Sequence, residues 1–361
     1  MAERHRSKKR LQSGQDLDAL NEPEGPTQIE SRSWKYILKR TISSFLNNQC
    51  LDGAAALTYY AVLALFPALV AIFSLLGVIG QNAKAADAVL GILEQVAPGE
   101  TATMLRGPLQ QLATAPGAGV ALFAGIAVAL WSASGYVGAF SRAMNRIYGV
   151  EEGRPFWKLR PMQLGVTITV VIAVAISALV LVLSGPMVAA LGDVINASQA
   201  VQTAWSVLKW PLLAFVVIGL VALLYYATPN AQQPKFRWIS PGALLAIIIL
   251  GVATVGFGFY VTHFSNHDRT YGSLAGVVIF LLWLWIANLA LLFGAEFDSE
   301  LARGRQLQGG VPAEKDLHVA PRDTRQIEKR AKKERKLEAE GRLIRAESAL
   351  EAPNERDDHS R

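Results

Sequence analysis

From Gly53 to Gly80 the chain reads GAAALTYYAVLALFPALVAIFSLLGVIG, twenty-eight residues without one Asp, Glu, Lys or Arg. As a helix rising about 1.5 Å per residue this is roughly 42 Å long, more than the ~30 Å hydrocarbon core of a bilayer. An uncharged run of that length has one economical destination, a membrane span. Pro67 within it removes a backbone donor and predicts a kink. The hydroxyls of Thr58, Tyr59 and Tyr60 predict a neighbouring helix able to satisfy them.

The run is repeated along the chain. Of the 361 residues, 52% are hydrophobic and 18% charged, where soluble domains carry about 25% charge. The apolar residues are gathered into blocks at about 53–80, 118–141, 162–191, 205–228, 238–262 and 271–297. The fold class read from this is all-α, a polytopic membrane bundle of six transmembrane helices. Pro229 is placed to stop the fourth span, and Pro241 with Gly242 opens the fifth. The spacing Gly272-xxx-Gly276 is the small-xxx-small pattern that lets helix backbones approach closely.

The flanks differ from the body. Residues 1–33 mix both charges with Gly, Pro and Gln and predict a disordered cytoplasmic tail. Over 34–48, Trp34, Ile37, Leu38, Thr41, Ile42, Phe45 and Leu46 recur at helical spacing opposite Lys35, Lys39 and Arg40, which predicts an amphipathic helix on the membrane surface. Residues 81–117 read as two short amphipathic helices. The membrane domain is taken as 34–303, followed by a charged cytoplasmic tail, 304–361, whose stretch Gln326 to Leu350 is expected to be a solvated or partly disordered helix. Residues 311–361 hold 13 basic and 12 acidic side chains, a balance unlike that of a nucleic-acid-binding arm. No cleavable leader is expected, so the first span would serve as the insertion signal.

Charge sets the expected orientation. Ser141 to Pro161 carries five Lys and Arg and the loop after the fourth span carries Lys235 and Arg237, while the opposite loops carry Lys84, Arg106 and Arg269. Positive loops stay inside, so both termini are expected in the cytoplasm. Asp52, Tyr60, Arg142, Asn145, Arg146, Asn230, Arg237, Glu296 and Asp298 then fall towards the cytoplasmic ends of spans. Of these, Asp52, Tyr60, Arg142, Asn145, Arg146, Asn230 and Glu296 are the candidates for a substrate-binding or gating cluster. The simpler expectation is that Arg142 and Arg146 anchor the membrane face and pair with Asp52 or Glu296. The span cores are expected to hold no ionisable residue, unlike those of ion-coupled pumps.

Enzyme chemistry finds little footing. Cys50 is the single cysteine, and His5, His263, His267, His318 and His359 are scattered; His263 and His267 with Asp268 would need a helix to hold a metal, on the wrong side for cytoplasmic RNA. No catalytic residue, metal or cofactor is expected. The expected partners are membrane lipids and a possible second copy of the chain, with no nucleic acid.

Four motifs in order, LTYYAVLALFP over Leu57–Pro67, LWSASG with Arg142-Ala-Met-Asn-Arg-Ile-Tyr148, Tyr226-Ala-Thr-Pro-Asn230 with WISPGA over 238–243, and TYGSLAG with Leu292-Phe-Gly-Ala-Glu296, resemble the YihY/BrkB family of bacterial inner-membrane proteins. The likeness covers about residues 34–303. It implies a six-span helical bundle, labelled virulence-associated and at times ribonuclease BN-like, and makes Tyr60 and Pro67 determinants of the bundle. One departure is Ala64, where the family commonly has Ser. Two roles follow as expectations: transport or export of a lipid-like or other small amphiphile, or a non-transporting scaffold or envelope-homeostasis factor.

Overall fold

The computed structural model describes residues 28–79, 118–182, 199–232, 240–264 and 275–351. The tail up to residue 27, the helices read over 81–117, Lys235, Arg237, His267 and Gly272 lie outside them. Among the described residues there are eight helices: α1 (Ser31–Asn47), α2 (Cys50–Ile79), α3 (Ala118–Ile147), α4 (Phe156–Val182), α5 (Gln199–Ala227), α6 (Pro241–Phe264), α7 (Ala275–Gln308) and α8 (Arg325–Glu351). Three are long and apolar enough to cross a membrane, over Thr203–Ala227, Pro241–Tyr260 and Gly276–Gln308; the described part of α2 adds a shorter apolar stretch, Cys50–Ala64. The span cores are not wholly uncharged. Lys209 lies within the α5 span, its ammonium 5.5 Å from the ring of Trp210.

Packing follows from the apolar faces and from small residues. α2 lies along α3, α6 along α7, and α4 bridges α3 and α5, while α1 lies across α7. The core gathers Leu57, Phe140, Met144, Tyr225 and Leu292. The closest helix approach is at Gly242 and Gly294, where a Cβ on Gly242 would stand 2.0 Å from the Gly294 carbonyl oxygen. The spacing rule had placed a close approach at Gly272 and Gly276. Among the described residues a Cβ on Gly276 meets nothing within 4 Å; α7 meets α6 at Gly294. α6 begins as a capped helix: Ser240 Oγ accepts from the Ala243 N–H at 3.0 Å, and Asp298 of α7 accepts from the Gly242 N–H at 2.7 Å and from the Ser240 hydroxyl. A carboxylate there also meets the positive end of the helix dipole.

α1 divides its apolar stripe between two surroundings. Ile37, Thr41 and Ser44 are buried against the chain, while Leu38, Ile42 and Leu46 stay exposed one position further round. The turn into α2 passes through Gln49 at φ 55°. Pro67 lies inside the helical run of α2, and Pro161 and Pro211 inside α4 and α5. α5 ends at Ala227, two residues before Pro229.

Both α3 and α7 end in the same way. After Ile147, Gly149 sits at φ 64°, its N–H reaches the Arg146 carbonyl at 3.1 Å and the Val150 N–H reaches the Asn145 carbonyl at 2.9 Å. Gly310 repeats this after Gln308, with φ 87°. This is the left-handed glycine stop that satisfies the last carbonyls and turns the chain back on its helix. Here the two reversals bring 148–155 and 311–323 together over one end of the bundle.

Candidate functional site

That end carries two polar networks, the second leaving the buried Arg40 Nε without a hydrogen bond 3.8 Å from Glu300. In the first, the Asn230 N–H donates to Asn145 Oδ1 at 2.7 Å, and Asn145 Nδ2 donates to Glu152 Oε2 at 3.0 Å. Arg154 grips the same carboxylate at 2.8 and 2.6 Å and also reaches the Thr228 carbonyl at 2.8 Å. Asn230 Nδ2 holds the carbonyls of Glu151 and Asp323 at 2.8 and 3.0 Å, and its own carbonyl oxygen accepts the Asp323 N–H at 3.1 Å. The segment after α7, expected as tail, is therefore clasped to the bundle; its backbone also pairs directly, Arg322 N–H to Asn230 O at 2.6 Å. Gly153 fits beneath it with no room for a Cβ, which would fall 1.7 Å from the Asp323 carbonyl oxygen.

Burial raises the Glu152 carboxyl, but the hydrogen bonds and charge of Arg154, with the Asn145 amide, outweigh it and hold the group below its ordinary value. Asp323 is likewise held well below the carboxylate range, chiefly by Arg325, with Lys158 assisting.

In the second network Glu300 accepts from Ser44 Oγ at 2.8 Å and Arg303 Nε at 2.9 Å, and Arg303 continues to the Ala313 carbonyl at 2.7 Å. Glu296, fully buried, accepts from Asn48 Nδ2 at 3.0 and 3.1 Å and from the Cys50 thiol at 3.8 Å. Arg146 meets the Asn48 carbonyl and the Gln49 side chain, each at 3.3 Å. The expected pairing of Arg142 or Arg146 with Asp52 or Glu296 is thus replaced. Asn48 takes Glu296, and Asp52 is exposed on the first turn of α2. Deeper in the bundle, Asn288 joins three helices, accepting from Tyr136 at 2.9 Å and donating to Thr58 at 3.1 Å, the neighbour that the Thr58 hydroxyl required.

Arg142 and Tyr60 belong to neither network. They line an open groove of about 470 Å³ between α2, α3 and α4, with Trp131, Phe156, Arg160 and Gln163. Tyr60 rests on Gly135, where a Cβ would come within 3.0 Å of its ring. The Arg142 guanidinium lies 5.9 Å from the Tyr60 ring centre. Arg160 lies 5.0 Å from the Trp131 ring centre and 5.5 Å from that of Phe156. Among the described residues no acidic side chain lines the groove and neither arginine has an ion pair. Gln163 is buried with its amide oxygen unpartnered.

The seven candidate residues thus separate. Asn145, Asn230, Arg146 and Glu296 are structural ties, Asp52 stands apart, and Tyr60 and Arg142 face the groove. Sequence reasoning missed Arg160 and Gln163, counting Arg160 only as a positive-inside charge. It also missed Glu152, Arg154, Glu300 and Arg303.

Comparison with known proteins agrees with this architecture. Residues 41–317 match the family described as Virulence factor BrkB. The ribonuclease-like protein YfkH of Bacillus subtilis (strain 168) is 29% identical over 275 residues, 76% of this chain and 98% of that protein. A UPF0761 membrane protein of Alkalilimnicola ehrlichii is 31% identical over 273 residues, 74% of this chain and 57% of its own length. Another, from Xanthomonas axonopodis pv. citri, is 28% identical over 295 residues, 75% of this chain and 65% of its own length. The chain therefore spans nearly all of the Bacillus relative but under two thirds of the other two. No solved structure matches.

Proposed function

The chain belongs to the BrkB virulence-factor family of membrane proteins, and from that premise we propose that it transports a lipid-like or other small amphiphilic substrate across a bacterial inner membrane. The observation that carries this reading is the groove. It is open between helices, half apolar through Leu63, Trp131 and Phe156, and half cationic through Arg142 and Arg160. Such a wall suits a molecule with a polar head and an apolar body.

The reading takes six spans, adding to the three long apolar helices the uncharged stretches of α2, α3 and α4. Both termini are assigned to the cytoplasm by the five Lys and Arg of Ser141 to Pro161. Membrane lipids are the partners it requires, and the role is non-enzymatic; the ribonuclease-like name belongs to the Bacillus protein.

The test is reconstitution. Purified protein in liposomes carrying a fluorescent short-chain lipid should make the inner-leaflet probe accessible to an outside quencher faster than empty liposomes do. Flux equal to the empty control, for lipids and for small amphiphiles alike, contradicts transport.

A further inference from the structure

Of four arginines near this end of the molecule, Arg154 and Arg303 are buried, Arg160 is half-buried and Arg142 is exposed, and they are partnered differently. Arg154 and Arg303 each have a carboxylate partner, at 2.6 and 2.9 Å. Arg142 and Arg160 have only aromatic faces. A ring face holds a guanidinium in place but leaves its edge, the fork of N–H donors, unspent. That fork matches a phosphate in two parallel hydrogen bonds. Gln163 adds a second need: its amide is nine-tenths buried, its oxygen lacks a partner, and it lies with the Arg142 guanidinium against Gly138. A buried amide of that kind is completed by a polar ligand.

We propose that the groove binds the headgroup of an anionic phospholipid, its phosphate held by Arg142 and Arg160 and its polar head completed by Gln163. This rests on the amphiphile reading and specifies its substrate class. Charge complementarity selects an anion, since two cations face the space and no carboxylate does. The walls select a lipid over a soluble phosphate. Trp131 and Phe156 are 59% and 62% exposed on helices whose apolar stretches continue away from the groove, so acyl chains have a surface on which to lie. The space, about 470 Å³, has the size of a small-molecule site and accommodates a head and its first methylenes.

Binding to delipidated full-length protein in detergent, read by native mass spectrometry, tests this with phosphatidylglycerol, phosphatidylcholine and free glycerol 3-phosphate as probes. Phosphatidylglycerol should bind about tenfold or more tighter than phosphatidylcholine, equivalent to ~1.4 kcal/mol, and free glycerol 3-phosphate should bind weakly. The double variant R142Q/R160Q should bring the two lipids level, R142K/R160K should retain most of the preference, and Q163L should weaken phosphatidylglycerol by about threefold through one lost hydrogen bond. Equal binding of both lipids by the unaltered protein overturns the anionic assignment. Free glycerol 3-phosphate binding as tightly as the lipid overturns the lipid assignment. A photoactivatable acyl chain locates the site independently. Crosslinks to Leu63 or Trp131 by both lipids, without preference, would sink the headgroup inference while leaving the amphiphile groove standing; no crosslink there from either lipid removes the groove reading itself.

Discussion

The clasp around Asn230 and the groove around Arg142 lie a few residues apart on α3, are built from the same residue types, and are opposites. In the clasp, Glu152 answers Arg154, Asn145 answers the Asn230 backbone, and Asn230 answers both ends of the Asp323 peptide. In the groove, Arg142, Arg160 and the Gln163 oxygen meet rings or nothing. A buried charge without a partner is costly, and removing one partner costs more than the pair contributes. The clasp groups are buried and paired, whereas the groove presents an exposed Arg142, a half-buried Arg160 and one buried amide oxygen to a ligand. That contrast can be broken by substitution on either side.

The largest effect is expected at Arg154. R154M leaves the Glu152 carboxylate without its ion-pair partner and should cost about 3–5 kcal/mol, read as a fall in thermal midpoint in detergent. A midpoint within a degree of the unaltered protein would break the comparison on its structural side. Next is Gly242. G242A drives a Cβ into the Gly294 carbonyl and should cost about 1–3 kcal/mol by forcing α6 from α7, whereas G276A, facing open space, should change stability by less than about 0.5 kcal/mol. N230A should cost about 1–3 kcal/mol and, more tellingly, should free residues 311–325 to limited proteolysis.

Acid sharpens the same point. Glu152 and Asp323 have folded-state values below their ordinary ones, so their contribution is complete above the unfolded carboxylate range of about 4. It is lost as pH falls through the depressed folded values. Protection of 311–325 from protease should hold at neutral pH and fail progressively below about pH 4, with E152Q weakening the clasp at neutral pH and flattening the profile. Groove substitutions are at the small end: R142Q and R160Q should each move stability by less than about 1 kcal/mol, the scale of a cation–π contact.

Much of the scaffold was legible because its cause is local. The uncharged run over 118–141 marks most of α3, and the periodicity of α1 picks out Ile37 and Thr41, both buried. Ser44 was not readable as buried, since its burial depends on Glu300, 256 residues away. Glu152 and Arg154 looked like a solvated loop for the same reason: only the reversal after Gly149 folds them inwards. The docking of 311–323 rests largely on backbone groups, which every residue possesses and no pattern advertises. Of the groove lining, Arg142 was a candidate from its place at a span end and Tyr60 from its hydroxyl within the first span. Arg160 was hidden among anchoring charges, because what distinguishes it is the absence of a carboxylate, a property of the folded neighbourhood.

The account's central claim is that the groove carries function and the clasp carries fold. It is tested most directly by measuring translocation of a fluorescent phosphatidylglycerol in liposomes containing equal amounts of folded protein, unaltered or R142Q/R160Q. The expected result is movement well above empty liposomes for the unaltered protein and a loss of about tenfold or more for the double variant, with the two proteins' stabilities within about 2 kcal/mol of each other. Undiminished translocation by a fully folded R142Q/R160Q protein would contradict it.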